Sequence, residues 1–322
     1  MLPYPNIKLP RCKGVNFNHW ATFSSNNQQG VLSAQRLAKK VHIMEGLELK
    51  LNAHYNQPDL YEDILNRLQE QGIKTGQVRR ADISAVDEFH VRGAAVSKEL
   101  AASISMKDKT VLDVGCGLGG PCRMLADEYS CRVTGIDLSN EYIRTAKELS
   151  KLVGLAQKTS FIQGDATNLP FEQNTFDVVW TQHVQMNIPD KEKLYSEIIR
   201  VLRPGGYFLY YDILKKGVAP VTYPMPWAGT SDLSFLITAE EMDHILLSKG
   251  LLLERETDQT LAGIEFFESL VARLKEHDPP KIGLNVLMGE TTKPKLLNLL
   301  THLKSGALEL RSGVFQKPIS NS

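Results

Sequence analysis

The stretch Val111-Leu112-Asp113-Val114-Gly115-Cys116-Gly117-Leu118-Gly119-Gly120 decides the fold. A short apolar run passes straight into a glycine-rich turn, and helix-like periodicity follows from about Gly120 to Glu128. Glycines let the chain bend sharply and let a ligand approach main-chain N–H groups. The run also contains an acid, Asp113. A carboxylate in a buried strand is costly unless a cation or a hydrogen-bond donor meets it. A cationic amino-acid ligand would do so, directly or through water.

Outward from this loop the same rhythm repeats. Short apolar runs at Thr110–Val114, Arg132–Ile136, Ser160–Gln163, Phe176–Trp180, Tyr207–Asp212 and Leu251–Glu256 alternate with helical stretches. The helices are expected at about Gly120–Glu128, Asn140–Val153, Lys191–Leu202 and Thr238–Lys249, with further ones at Leu261–Glu276 and Lys293–Leu303. That alternation predicts βαβ units and an α/β fold, a doubly wound Rossmann-like sheet that is mostly parallel. A last apolar run, Leu310–Phe315, predicts an antiparallel seventh strand closing the sheet edge. Thr238 followed by Glu241 is a capping box. Arg203-Pro204-Gly205-Gly206 is a helix stop with a turn into the fifth strand. The expected organisation is a leader over residues 1–44, a helical lid segment over 45–105 with a helix from Val91 to Ile104, and a main domain over 106–322. That domain carries cap insertions at about 213–237 and 261–304.

Composition narrows the function. The 322-residue chain is 42% hydrophobic, which suffices for a core and excludes wholesale disorder. Its 37 Lys and Arg balance 37 Asp and Glu, which argues against a protein that works mainly by gripping a nucleic-acid backbone. No apolar run approaches the roughly 20 residues that a membrane-spanning helix needs. Cys12, Cys116, Cys122 and Cys131 form no CxxC pair, which speaks against a disulfide scaffold or a zinc site and for a reducing compartment. Residues 1–44 contain no Asp or Glu but do contain Lys8, Arg11, Lys13, Arg36, Lys39 and Lys40. Acid-poor, basic and Ser-bearing is the composition of an organelle transit peptide, with Leu32–Met44 as a short basic amphipathic helix. The segment also reads as a flexible leader or an arm that packs on the main domain, so the expected location is cytoplasmic, with a mitochondrion or plastid as the alternative if residues 1–44 are a transit peptide.

Two cofactor readings of the glycine loop are open. Gly115, Gly117 and Gly120 satisfy the GxGxxG dinucleotide fingerprint, and Asp137 follows Gly117 by 20 residues at the end of the second strand. Asp113, Gly115, Gly117 and Gly119 equally satisfy Asp-x-Gly-x-Gly-x-Gly, the pattern of S-adenosyl-L-methionine (SAM) methyltransferases. The rest of the chain chooses. Asp113–Gly120, Asp137-Leu138-Ser139, Gly164-Asp165-Ala166, Leu169-Pro170-Phe171, Phe176-Asp177-Val178-Val179-Trp180 and Leu202-Arg203-Pro204-Gly205-Gly206 stand in order. In that order and spacing the chain resembles a class I SAM-dependent methyltransferase over roughly residues 50–318. Within the class it is similar to the small-molecule branch: sarcosine/dimethylglycine N-methyltransferases, the phosphoethanolamine enzymes, and the quinone and tocopherol C-methyltransferases. Trp180-Thr181-Gln182-His183 followed by Asn187-Ile188-Pro189-Asp190-Lys191 resembles the amine enzymes, as does Lys281–Asn285 with Gly313-Val314-Phe315. That group usually has Asp where His183 stands and His where Asn187 stands.

The resemblance implies a role for each residue. Gly115, Cys116, Gly117 and Gly119 line the methionine part of SAM, and Asp113 meets its ammonium. Asp137 accepts both ribose hydroxyls, a two-acceptor task suited to a carboxylate. Leu138 packs on the adenine, Asp165 accepts from its amino group, and Ala166 offers a backbone N–H to a ring nitrogen. Gln182 and His183 stand where donor and acceptor meet, Gln182 as a contact and His183 as a general base. Trp180 walls the sulfonium site or belongs to the core. Tyr55 and His90 lead the lid candidates, which also include His54, Asp87, Phe89 and Arg92. Asn187, Tyr223 and Trp227 are expected at the substrate. The last two lie in a Pro-rich aromatic loop that suits a cationic amine or a prenyl chain.

The implied reaction is an in-line displacement at methyl, driven by alignment and exclusion of water. The expected acceptor is a small amine such as sarcosine or dimethylglycine, with C- or O-methylation of a quinone, phenol or isoprenoid as the alternative. An amine must arrive unprotonated, whereas a phenol, hydroxyl or ring carbon must lose a proton to a base. No HxxxH or DxD cluster implies a metal. A nucleic-acid methyltransferase would need an Asn/Asp-Pro-Pro-Tyr after the fourth strand, where Trp180-Thr181-Gln182-His183 stands instead. An NAD(P)-dependent oxidoreductase, the distant alternative, would need a Tyr-x-x-x-Lys there, and the match at Tyr211–Lys215 begins inside the expected fifth strand. Intact glycines and acids oppose a non-catalytic scaffold. The expected partners are SAM and a small molecule, with no nucleic acid and no membrane span.

Overall fold

The structure, a computed structural model, describes Gly46, residues 58–276 and residues 281–319. The chain divides into two compact units, Met1–Gly46 and Leu47–Ser322, and the second holds every described residue except Gly46. The expected leader, its Leu32–Met44 helix, His54 and Tyr55 lie outside the described residues.

Strands β1 (Thr110–Val114), β2 (Arg132–Asp137), β3 (Thr159–Gln163), β4 (Phe176–Gln182), β5 (Leu202–Lys215), β6 (Leu252–Asp258) and β7 (Leu308–Gln316) form one sheet. Its order is β3-β2-β1-β4-β5-β7-β6. The first five run parallel, and β7 runs antiparallel to both β5 and β6. This is the doubly wound sheet that the alternation predicts. Because β2 and β3 continue to one side of β1 while β4 crosses to the other, the order reverses between β1 and β4. A crevice opens there beyond the strand ends.

Both faces of the sheet are apolar. Val111, Val133, Phe161, Val178 and Trp180 belong to one buried cluster; Leu112, Val114, Ile136, Val179 and Phe208 belong to another. Each such side chain contributes about 1.5–3 kcal/mol on burial. Helices cover both faces: α1 (Leu60–Glu70), α2 (Arg80–Asp87), α3 (Ala94–Ala101), α4 (Gly120–Glu128), α5 (Asn140–Leu152), α6 (Lys191–Val201), α7 (Ala239–Ser248), α8 (Thr260–Glu276) and α9 (Thr292–Ser305). Some of their starts are capped by local polar groups. Ser139 Oγ accepts from the Tyr142 N–H at 3.2 Å and Thr238 Oγ1 from the Glu241 N–H at 3.2 Å, while Glu241 accepts from the Thr238 N–H at 2.8 Å.

Three expectations change. The last strand does not close the sheet: β7 inserts between β5 and β6, so β6 is the edge. The reason is burial. Leu308, Leu310, Val314 and Phe315 of β7 are buried, whereas Leu252 and Leu253 of β6 are 51% and 42% exposed, so the charged strand takes the edge. The helix expected from Val91 is confined to Ala94–Ala101, because Arg92 (φ 70) and Gly93 (φ 52) put the chain in the left-handed region just before it. The turn expected at Arg203–Gly206 is absorbed into β5, which begins where α6 ends. The C-terminal tail pairs with it, with the Gly205 N–H donating to Lys317 O at 2.8 Å and the Lys317 N–H to Gly206 O at 2.9 Å.

Candidate active site

The crevice encloses about 1100 Å³, its mouth included. Asp113, Gly115, Cys116, Gly117, Asp137, Leu138, Asp165 and Ala166 line one half, and His90, Gln182, His183 and Asn187 the other. The structure thus brings together residues from the ends of β1, β2 and β4, the loop after β3 and the segment before α3. Gly119, Tyr223 and Trp227 do not line it. Gly119 has φ 79, and a Cβ there would lie 2.6 Å from the Phe161 ring, so this glycine serves the turn and the packing of β3. Trp227 is buried in the core, its indole N–H donating to Ser234 Oγ at 2.9 Å, and Tyr223 packs half-buried against the same cluster. Asn187 holds that loop by donating to Trp227 O at 2.8 Å. Trp180 is a core residue that reaches the site only through Gln182.

In the first half, Asp113 is buried at 2% exposure and accepts a hydrogen bond from Cys122 Sγ at 3.1 Å. No cation pairs with it among the described residues. Burial therefore pushes its carboxyl up to about 7. Asp137 accepts from the Gly117 N–H at 2.9 Å and from the Ser139 N–H at 2.9 Å, one bond on each oxygen. Burial raises its pKa despite both bonds. Asp165 accepts from the N–H and hydroxyl of Thr167 at 2.8 and 2.7 Å, an Asx turn that fixes the carboxylate at the rim. The Cys116 thiol is pushed up to about 11 by burial and stays protonated. A carboxylate oxygen accepts more than one hydrogen bond, so Asp113 and Asp137 both keep acceptor capacity beyond these partners.

The second half carries no free charge. His183 has φ 54 although it is not glycine, and its N–H donates to Tyr211 O at 2.8 Å, which holds this strained turn at the end of β4. Burial, then His90, lowers its pKa well below the usual histidine value. Burial likewise lowers His90 to about 4. The two rings meet edge to face, with centroids 6.1 Å apart. His183 Nε2 and Gln182 Nε2 are buried with no hydrogen-bond partner. Behind them Lys191 donates to the carbonyls of Gln185 and Ile188, and Asp212 accepts from the Val184 N–H at 3.0 Å. This fixes the loop after β4.

Sequence reasoning missed the link between the two halves. Arg123 and Asp87 form a fully buried ion pair at 2.7 Å, and Arg123 also donates to Leu118 O, Ala146 O and Ser150 Oγ. Gly120 permits it: a Cβ there would lie 2.3 Å from Asp87 O. The available signal was Arg123 itself, a lone charge inside Pro121-Cys122-Arg123-Met124-Leu125. Glu88 and Ser97, which contact His90, carried no sequence signal. Among the described residues no cluster of His, Cys, Asp and Glu could hold a metal ion, and no helix is long and apolar enough to cross a membrane.

Residues 112–210 match the family described as "Methyltransferase domain". The chain is 40% identical over 116 residues to norajmaline N-methyltransferase of Rauvolfia serpentina, covering 36% of this chain and 40% of that one. It is 38% identical over 140 residues to the chloroplastic tocopherol O-methyltransferase of Arabidopsis thaliana, covering 44% and 38%. The chain thus spans about two fifths of the length of these relatives. In fold it is similar to phosphoethanolamine N-methyltransferase 2 of Haemonchus contortus, with a TM-score of 0.61 at 19% identity over 79% of this chain and 60% of that one. Sheet order, glycine loop and paired acids define a class I, Rossmann-like methyltransferase domain. Residues 112–210 carry that domain, and its cofactor is SAM.

Proposed function

We propose that the protein transfers the methyl group of SAM to a small-molecule acceptor that arrives uncharged. One observation carries the reading: Asp113, buried and without a cation among the described residues, faces the same crevice as Asp137. Asp113 would hold the ammonium of SAM and Asp137 its ribose hydroxyls. Gly115, Cys116 and Gly117 would line the methionine arm. Leu138, Asp165 and Ala166 would take the adenine. When bound, SAM supplies an electrophilic methyl on a sulfonium. The chain supplies alignment and a site closed to water.

The acceptor would sit against His90, Gln182, His183 and Asn187. Both imidazoles are held neutral, and Asp87 is tied to Arg123. An acceptor bearing an ammonium would meet no free counter-charge there, and the aromatic loop of Tyr223 and Trp227 packs into the core. The segment 45–105 we read as the lid over this crevice, with Tyr55 in it, and 213–237 and 261–304 as caps on the main domain. Residues 1–44 we read as a leader, on a cytoplasmic or organellar protein. Relatives named for N- and O-methylation support methyl transfer without choosing the acceptor atom.

Thermal unfolding tests the reading. S-adenosylhomocysteine at a hundred times its Kd stabilises the protein by about 2.7 kcal/mol, and NAD leaves the Tm unchanged. A Tm raised by NAD and not by S-adenosylhomocysteine or SAM would overturn the proposal.

A further inference from the structure

The acceptor half holds a hydrogen-bond chain that the roles above leave unused. Its anchor is the backbone carbonyl of Gly93, 3.1 Å from His90 Nε2. A carbonyl only accepts, so Nε2 carries the imidazole proton. The same nitrogen lies 3.0 Å from Ser97 Oγ and 3.3 Å from Glu88 Oε2. The lone pair is then on Nδ1, to which no described residue hydrogen-bonds. His90 lines the crevice.

Gln182 is oriented just as firmly. Its Oε1 accepts from Trp180 Nε1 at 2.9 Å and lies 3.2 Å from Ser97 Oγ. The oxygen therefore faces the core, and the amide NH2 is left buried without a partner. His90 and Gln182, both within reach of Ser97 Oγ and both lining the crevice, thus leave one lone pair and one N–H donor unused. A hydroxyl oxygen satisfies both and keeps a second lone pair for attack. A neutral secondary amine that gave its proton to His90 and its one lone pair to Gln182 would have none left. An ammonium offers Gln182 nothing, and an alkene carbon satisfies neither.

We propose that Glu88 and His90 are the proton-accepting pair of the acceptor site, and that the methyl acceptor is an uncharged hydroxyl; this rests on the SAM reading above. The acceptor O–H breaks and its proton passes to His90 Nδ1. The oxygen forms a bond to the methyl carbon as the C–S bond breaks and its electron pair stays on sulfur. The positive charge moves from sulfonium to imidazolium, so total charge is conserved, and the imidazolium then returns its proton to water. His90 is the catalytic base. Glu88 is a positioning residue, acting on Nε2. Burial, then Asp87, raises the Glu88 carboxyl to about 8, with Ser97 and Arg123 opposing and Asp113 adding to the rise. The groups facing His90 are Glu88, His183 and Tyr211. Glu88 gains its negative charge as pH rises through about 8 and then stabilises the imidazolium, so the rate climbs over that range.

The test uses the full chain. Calorimetry with S-adenosylhomocysteine comes first: no binding overturns the SAM reading and this proposal with it. Where it binds, ¹⁵N NMR of the His90 ring reads the tautomer between about pH 5.5 and 7.5, above the value to which burial lowers the imidazole. An Nε2–H ring whose Nδ1 signal moves when phenol is added to the complex is expected. An Nδ1–H ring, or an equal shift with aniline, overturns the hydroxyl assignment while the SAM reading stands. Release of S-adenosylhomocysteine is then followed with phenol against aniline, and 2-phenylethanol against 2-phenylethylamine. Hydroxyl turnover is expected; amine-only turnover refutes it. Glu88→Gln should lower kcat by about 100-fold above pH 8 and remove the alkaline rise, with cofactor affinity and Tm unchanged and partial rescue by Glu88→Asp. An alkaline rise kept in Glu88→Gln overturns the role of Glu88. If no probe turns over, the NMR result decides.

Discussion

The two halves of the crevice use opposite means to bind. The half beyond β1 and β2 is acidic, with Asp113 and Asp137 drawn out of water and presented around a glycine turn. The half beyond β4 is polar but uncharged, with two neutral imidazoles and an amide whose oxygen is already engaged. A cationic ligand would suit the first half and a neutral one the second. On the proposed reading, the sulfonium would lie beside carboxylates, while the acceptor would meet groups that move protons rather than hold ions.

If this division is real, mutations should separate by half, except at the joint. Arg123→Ala has the largest expected effect, because it strands Asp87 as an unpaired buried charge between the halves. A loss of about 3–5 kcal/mol in urea unfolding is predicted, and an unchanged urea midpoint would remove the pair from the account. Asp113→Asn keeps the shape and removes the charge. It should weaken S-adenosylhomocysteine by about 1.5–3 kcal/mol in calorimetry, roughly 10- to 150-fold, while the His90 ring signals stay in place. Trp180→Phe releases the Gln182 oxygen and has the smallest effect, about 0.5–1.5 kcal/mol. That loss should appear in kcat with the cofactor affinity unchanged. Equal losses in both quantities would dissolve the distinction between the halves.

Much of the cofactor half was legible in sequence because its geometry is local. β1, the glycine turn and α4 occupy one continuous stretch, and the α4 bounds follow from periodicity alone. Asp137 ends β2 and Asp165 lies in the loop just after β3, each next to the residues that fix it. The acceptor half is assembled from distant parts. Arg123 meets Asp87 across 36 residues, and Ser97 meets Gln182 across 85. No pattern of spacing encodes such pairs. The place of β7 was hidden for the same reason, since pairing partners are chosen by burial on both faces. Tyr223 and Trp227 show the converse limit: an aromatic loop has the same composition whether it grips a ligand or packs in a core.

Proton release on cofactor binding tests the central claim most directly. Asp113 is raised to about 7, so near neutral pH about half of the free protein is protonated there. A ligand ammonium needs the carboxylate, so binding expels that proton. Affinity should fall up to tenfold per pH unit below about 7 and level off about a unit above it. Titration calorimetry with S-adenosylhomocysteine at pH 7, in buffers of different ionisation enthalpy, should report about half a proton released per site in the wild type. Asp113→Asn should release none. Binding with no proton released, or the same release in Asp113→Asn, would contradict the account.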